Sequence, residues 1–191
     1  FRSVIITTMQ HAILAIALVS ITVSAFYAQQ PVNPNASPEA RTLLRYLYSI
    51  RGKGIVTGIH NEQSDPDGYM NSMKNVTGKI PGLWGNDFRY GSHINHRQRF
   101  IDEAIRQWNA GSIVTIMWHQ TPPGRSESSA GFGTIQSGMS GSQFRQMVTP
   151  GTSEYNRWVQ RCEVVVKYFK QLQDANVPVL FRPYHEMNCG W

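Results

Sequence analysis

The chain has 191 residues, enough for one domain with a sizeable core, and its 41% hydrophobic and 16% charged content marks it as globular rather than disordered. The formal charge is +6, yet Lys and Arg are scattered with no run resembling a nucleic-acid patch, so a solvated basic surface and no nucleic-acid partner are expected. Two cysteines, Cys162 and Cys189, do not define a disulfide framework, and free thiols are expected.

Ala12 to Phe26 is an almost unbroken apolar stretch. It is short for a membrane span and suits the core of a signal peptide, with small residues at Val23-Ser24-Ala25 for cleavage. A signal peptide is expected over residues 1–28, with a mature domain that does not span a membrane and a secreted or periplasmic destination. Gln29 to Pro38 is polar and carries three prolines, which reads as a linker over 29–37. Ser37-Pro38-Glu39 then opens a helix, with Ser37 as its cap and Pro38 in its first turn. Leu43, Leu44, Leu47 and Ile50 supply the apolar face, and Gly52 and Gly54 end it.

Four short, largely apolar runs follow: Gly54–Ile59, Ile80–Asp87, Ser112–His119 and Val177–His185. Asn95–Ala110 precedes the third, with Phe100, Ile101, Ala104, Ile105 and Trp108 at helical spacing. Ser153–Ala175 precedes the fourth, with Tyr155, Trp158, Val159, Cys162, Val166 and Phe169. Strands alternating with helices predict parallel βα units, an α/β fold with consecutive strands side by side. Gln120–Thr152 is rich in Gly and Ser and reads as a long functional loop.

Each run ends in reactive groups. The first gives His60, Asn61 and Glu62; the second Asp87 and Arg89; the third His119 and Gln120; the fourth Arg182, His185 and Glu186. In a parallel barrel these ends share one face, so Asp87, His119, His185 and Glu186 are expected to converge there. Glu186 is the leading catalytic candidate. Apolar neighbours at Tyr184, Met187 and Trp191 would favour its acid form by desolvation, as a general acid for glycosidic cleavage requires. Trp118 and Trp191 could stack on sugar faces, or simply fill the core.

Gly54-Ile55-Val56-Thr57-Gly58-Ile59-His60, Gly85-Asn86-Asp87-Phe88, Val114-Thr115-Ile116-Met117-Trp118-His119 and Arg182-Pro183-Tyr184-His185-Glu186-Met187-Asn188 together resemble glycoside hydrolase family 26. Its best-known members are endo-β-1,4-mannanases. The resemblance implies a (β/α)8 TIM barrel, of which residues 38–191 would be the first four βα units, and a retaining mechanism. It makes Glu186 the acid/base and His119, His185 and Trp191 substrate contacts, with Asp87 joining the substrate-binding set from its strand end. It places a second glutamate, the nucleophile, on a seventh strand. The chain is therefore expected to be a fragment lacking the nucleophile, inactive alone. It implies a polysaccharide substrate, a monomer, and no cofactor or metal.

Other readings stay open from the residues. Xylan or mixed-linkage glucan could replace mannan, or the chain could be a non-catalytic carbohydrate-binding barrel fragment. The close pair His93 and His96 raises a metal-dependent hydrolase.

Overall fold

The computed structural model describes residues 30, 31 and 33–186, so the leader expected over 1–28 and the candidates Trp191 and Cys189 lie outside the described residues. The chain divides into two compact units, Phe1–Gly54 and Ile55–Trp191.

In the first unit, helix α1 (Pro38–Ile50) begins as the sequence predicts. The Ser37 hydroxyl accepts the Ala40 N–H at 3.2 Å, and Pro38 occupies the first turn, where its missing N–H costs nothing. The proline-rich segment before it is tied down by one side chain. Arg41 donates from Nε to the Ala36 carbonyl (3.1 Å), from Nη2 to the Pro34 carbonyl (2.7 Å) and from Nη1 to Gln30 Oε1 (2.8 Å).

The second unit is built on a four-stranded sheet in the order β1 (Gly58–His60), β2 (Leu83–Asp87), β3 (Ile113–Trp118) and β4 (Val179–Pro183). Every neighbouring pair is parallel, as expected. The strands are shorter than the apolar runs that predicted them. Pro81 has no N–H to give a ladder, so pairing begins where Leu83 N–H reaches the Thr57 carbonyl at 3.1 Å. Ile55 is left 92% exposed, outside the first strand. β4 stops at Pro183 because Tyr184 takes a left-handed backbone, with φ +48°.

Helices α2 (Gly68–Thr77), α3 (Arg97–Asn109) and α6 (Ser153–Asp174) accompany the sheet. The apolar spacing gave no sign of α2, which buries only Met70. The helix predicted over Asn95–Ala110 splits into a 3-10 turn over Gly91–His96 and α3 proper. The loop predicted over Gln120–Thr152 carries two short helices, α4 (Phe132–Ile135) and α5 (Gly141–Met147). On α6 the buried positions are Val165 and Leu172, while Val166 is exposed.

The core forms where α3 packs on β2, β3 and α6. Trp84, Val114 and Ile116 from the sheet meet Phe100, Ile101 and Ala104 of α3 and Val165 and Leu172 of α6. Phe88, just past β2, is its centre: its ring lies 5.1 Å from Phe100, 5.7 Å from Tyr168 and 5.6 Å from Phe169. Trp84 is fully buried and its indole N–H donates to the Pro66 carbonyl at 2.6 Å, which satisfies the one polar atom that a buried Trp brings with it. The core thus fixes the strand ends from beneath, one residue away from Asp87.

Candidate active site

Parallel pairing brings the C-terminal ends of all four strands to one edge of the sheet. There the reactive residues join in strand order. Glu62 beyond β1 pairs with Arg89 beyond β2 at 3.2 Å. Asp87, the last residue of β2, bonds to His119 just past β3. The His119 ring stands edge-on to His185 beyond β4, with centroids 4.2 Å apart and planes at 74°.

Asp87 is 1% exposed and engaged on both oxygens. Oδ1 accepts the backbone N–H of Arg89 at 2.9 Å and of His119 at 3.1 Å, and Oδ2 accepts His119 Nδ1. Burial alone would raise the Asp87 carboxyl, but the His119 ring and the two backbone N–H groups overcome it and hold the carboxyl below its ordinary value. The carboxylate, as acceptor, therefore keeps the His119 proton on Nδ1 and leaves Nε2 as the ring's acceptor atom. The imidazoles of His185 and His60 are both held towards their neutral forms, chiefly by burial.

Of the residues expected to converge, Asp87, His119 and His185 do so: each offers a donor atom within 4.8 Å of the others'. Glu186 follows His185 directly at the same edge, with φ +65°. It is exposed rather than enclosed. The expected shield from Tyr184 is absent because that phenol turns elsewhere. It accepts the Trp158 indole N–H at 2.7 Å and donates to Gln120 Oε1. Trp191 and Met187 lie outside the described residues. Trp118 is only 4% exposed and packs in the core, so it cannot stack on a sugar. Alternation along β3 buries Val114, Ile116 and Trp118 together.

The cluster offers a carboxylate and two imidazoles, donor types that divalent cations take. Both Asp87 oxygens are already hydrogen-bonded, however, and the pattern is that of a carboxylate orienting an imidazole. His93 and His96, which raised the metal reading, sit in the 3-10 turn and are not part of this donor set.

Sequence reasoning missed Tyr184 as a link between the ends of β3 and β4 and helix α6. It also missed Arg97, whose buried guanidinium bonds the Phe88 and Arg89 carbonyls and Glu127. A charge on the otherwise apolar face of α3, three residues before Phe100 and seven before Ala104, was the available signal.

Comparison with known proteins converges on one family. The solved structure of GH26A from Muricauda sp. MAR_2010_75 superposes with a TM-score of 0.78 at 39% identity, covering 82% of this chain and 51% of that one. The β-mannanase from a symbiotic protist of the termite Reticulitermes speratus, solved with gluco-manno-oligosaccharide, gives 0.70 at 25% identity, covering 83% and 52%. Among curated relatives, mannan endo-1,4-beta-mannosidase A and B of Caldalkalibacillus mannanilyticus is 30% identical over 83% of this chain, and mannan endo-1,4-beta-mannosidase of Bacillus subtilis 27% over 84%. The chain spans 32% and 47% of the length of those two relatives. The model of glycosyl hydrolase family 26 matches residues 32–191, over the same strands whose ends carry Asp87, His119, His185 and Glu186, and the chain belongs to that family.

Proposed function

We propose that residues 38–191 form the first four βα units of a (β/α)8 barrel and carry the acid/base half of a retaining endo-1,4-β-mannanase. The observation that carries this reading is the gathering of Asp87, His119 and His185 at the strand-end edge where parallel barrels do their chemistry, with Glu186 the next residue along the chain. The open sheet lends support. Among the described residues β1 and β4 each have a single strand neighbour, and Phe181 of β4 and Val164 and Val166 of α6 are 41%, 40% and 58% exposed, apolar surface that further barrel units would cover. The relatives named as mannanases supply the substrate class.

In this mechanism Glu186 gives its proton to the glycosidic oxygen as a second carboxylate attacks the anomeric carbon. It then takes a proton from the water that hydrolyses the glycosyl-enzyme. The two carboxyl groups must lie ~5–5.5 Å apart. The family resemblance puts the second on strand seven, so the 191-residue chain is inactive by itself. His119 Nε2 and His185 hydrogen-bond sugar hydroxyls, with Asp87 holding His119 in register, and the family resemblance adds Trp191 as a further substrate contact. The complete enzyme acts as a monomer, outside the cytoplasm, after removal of residues 1–28.

Two assays test the reading. Reducing-sugar release from β-mannan should be absent with residues 1–191. In the complete enzyme Glu186→Ala should lower mannan hydrolysis by roughly 10²–10⁴-fold while sparing glycosylation by aryl mannosides with good leaving groups, which need little protonation to depart. Wild-type turnover of mannan by the variant would remove Glu186 from the mechanism. Turnover by the short chain would show that the second carboxylate lies within it.

A further inference from the structure

Arg97 is the most buried cation described in the second unit, with its side chain 3% exposed. It makes four hydrogen bonds out of the five that a guanidinium can donate. Nε donates to the Phe88 carbonyl (2.8 Å) and Nη2 to the Arg89 carbonyl (2.7 Å). Glu127 takes the rest in a fork, Oε1 at 2.7 Å and Oε2 at 3.2 Å. The stem starts α3, and the guanidinium carbon lies 5.7 Å from the centre of the Phe88 ring.

The two carbonyls that Arg97 holds are those immediately after Asp87. The peptide unit joining Phe88 to Arg89 is bonded at both ends. Its C=O accepts from Arg97, and its N–H donates to Asp87 Oδ1 at 2.9 Å. A cation on the carbonyl side polarises the amide and strengthens its N–H as a donor. The next carbonyl belongs to Arg89, whose φ of +39° is costly for a residue with a side chain and persists only where its surroundings impose it. Glu127 anchors the other end. Its backbone carbonyl accepts the Gly91 N–H at 2.8 Å, so one residue grips both the guanidinium and the loop that leaves β2.

We propose that the Arg97–Glu127 pair is a positioning device for the active site: through the peptide between Phe88 and Arg89 it sets the Asp87 carboxylate, and through Asp87 it sets the proton and orientation of His119. A salt bridge that merely stabilised the fold would need neither the peptide contact nor the strained Arg89. The catalytic consequence rests on the proposed function, but the test below does not use activity, so the two can fail separately.

The test follows the His119 Nδ1 proton by ¹⁵N-histidine NMR and the Arg89 backbone amide by hydrogen exchange in the full chain, with the Val114 and Ile116 amides as reporters of the whole fold. In Arg97→Met the Arg89 amide should exchange faster relative to those reporters by about 10- to 150-fold, the range set by losing a hydrogen bond to a charged group, and the His119 Nδ1–H signal should move or broaden away. Arg97→Lys, which keeps the charge but loses the fork, should fall between the wild type and Arg97→Met. If Arg97→Met does not fold, Glu127→Gln removes only the anchoring charge and should shift the same two signals in the same direction. Equal acceleration at Arg89, Val114 and Ile116 with an unmoved His119 signal would reduce the pair to a general stabiliser and overturn the proposal.

Discussion

Asp87 and His119 meet through two bonds at once: the ring Nδ1 of His119 engages Oδ2, and its backbone N–H reaches Oδ1 at 3.1 Å. The sheet register brings the two residues to neighbouring strand ends. Asp87 stands opposite Met117, and His119 is two residues further along, on the same face as Met117. The carboxylate thus fixes both the position and the tautomer of an imidazole from the next strand. His185 arrives from beyond the strand after that and meets the ring edge-on.

Replacing Asp87 by Asn should therefore reverse the tautomer. An amide nitrogen facing Nδ1 donates rather than accepts, so the His119 proton moves to Nε2. On the proposed mannanase reading, hydrolysis of mannan by the complete enzyme should fall about 10- to 150-fold, the loss expected when a hydrogen bond to a buried charge is removed. Ring ¹⁵N shifts should show Nδ1 unprotonated. Unchanged turnover with the proton still on Nδ1 would contradict the assignment.

Acid should destabilise the fold in two stages. His60, His93 and His185 all have folded pKa values lowered from 6.5, chiefly by burial. The unfolded chain binds their protons first, so their contribution is complete above pH 6.5 and is lost as pH falls through the folded values. Asp87, lowered from 3.8 despite its burial, adds a loss at more acid pH, as its carboxylate takes up a proton. Thermal melts should show a level Tm near neutrality that declines below pH 6.5 and declines again below about pH 4. The first decline should be shallower in His185→Gln. A Tm that rises between pH 7 and 5 would refute the scheme.

Phe88→Ala should cost about 3–5 kcal/mol, or roughly 6–20 °C in Tm. The ring is fully buried among Phe100, Tyr168 and Phe169. Calorimetry would decide. A change under about 1 kcal/mol would mean that the core around β2 is loosely packed.

Gly91→Ala should be destabilising by more than the ~1–3 kcal/mol of an ordinary strained residue. Its φ is +63°, and an added Cβ would sit 2.8 Å from the Ala130 carbonyl oxygen, a backbone atom that cannot swing away. Gly138→Ala is the control: its φ is ordinary and open space surrounds it, so the effect should be near neutral or about 0.4–1 kcal/mol stabilising. Urea unfolding of both variants makes the comparison, and equal midpoints would refute the clash.

Much of this architecture is written locally. Ser37-Pro38 starts a helix because a hydroxyl and a missing N–H suit its first turn. The apolar runs ending at Asp87 and His119 are strands because they pack against α3 in the core and break where ionisable groups begin. Helix α2 was not legible, since Met70 is its one buried side chain and a single apolar contact leaves no period to read. The strand limits were not legible either, because a ladder starts where both partners can bond, and Pro81 on one run shortened the other.

The site divides the same way. Sequence by itself determined which residue types stand at the strand ends, and parallel order followed from the alternation of strands and helices, so the convergence of Asp87, His119 and His185 could be anticipated. Only the tertiary structure decided how they meet. Continuing the β3–β4 register by one residue would set Tyr184 opposite His119, but the left-handed backbone at Tyr184 ends the alternation, sends its phenol to Trp158 and Gln120, and brings His185 to the ring instead. Arg97 likewise stands on the apolar face of its helix, but the groups it reaches cannot be read from its spacing. Its partners lie 8, 9 and 30 residues away, and a hydrogen bond across such distances depends on where the folded backbone places carbonyls, which no local pattern of residues records.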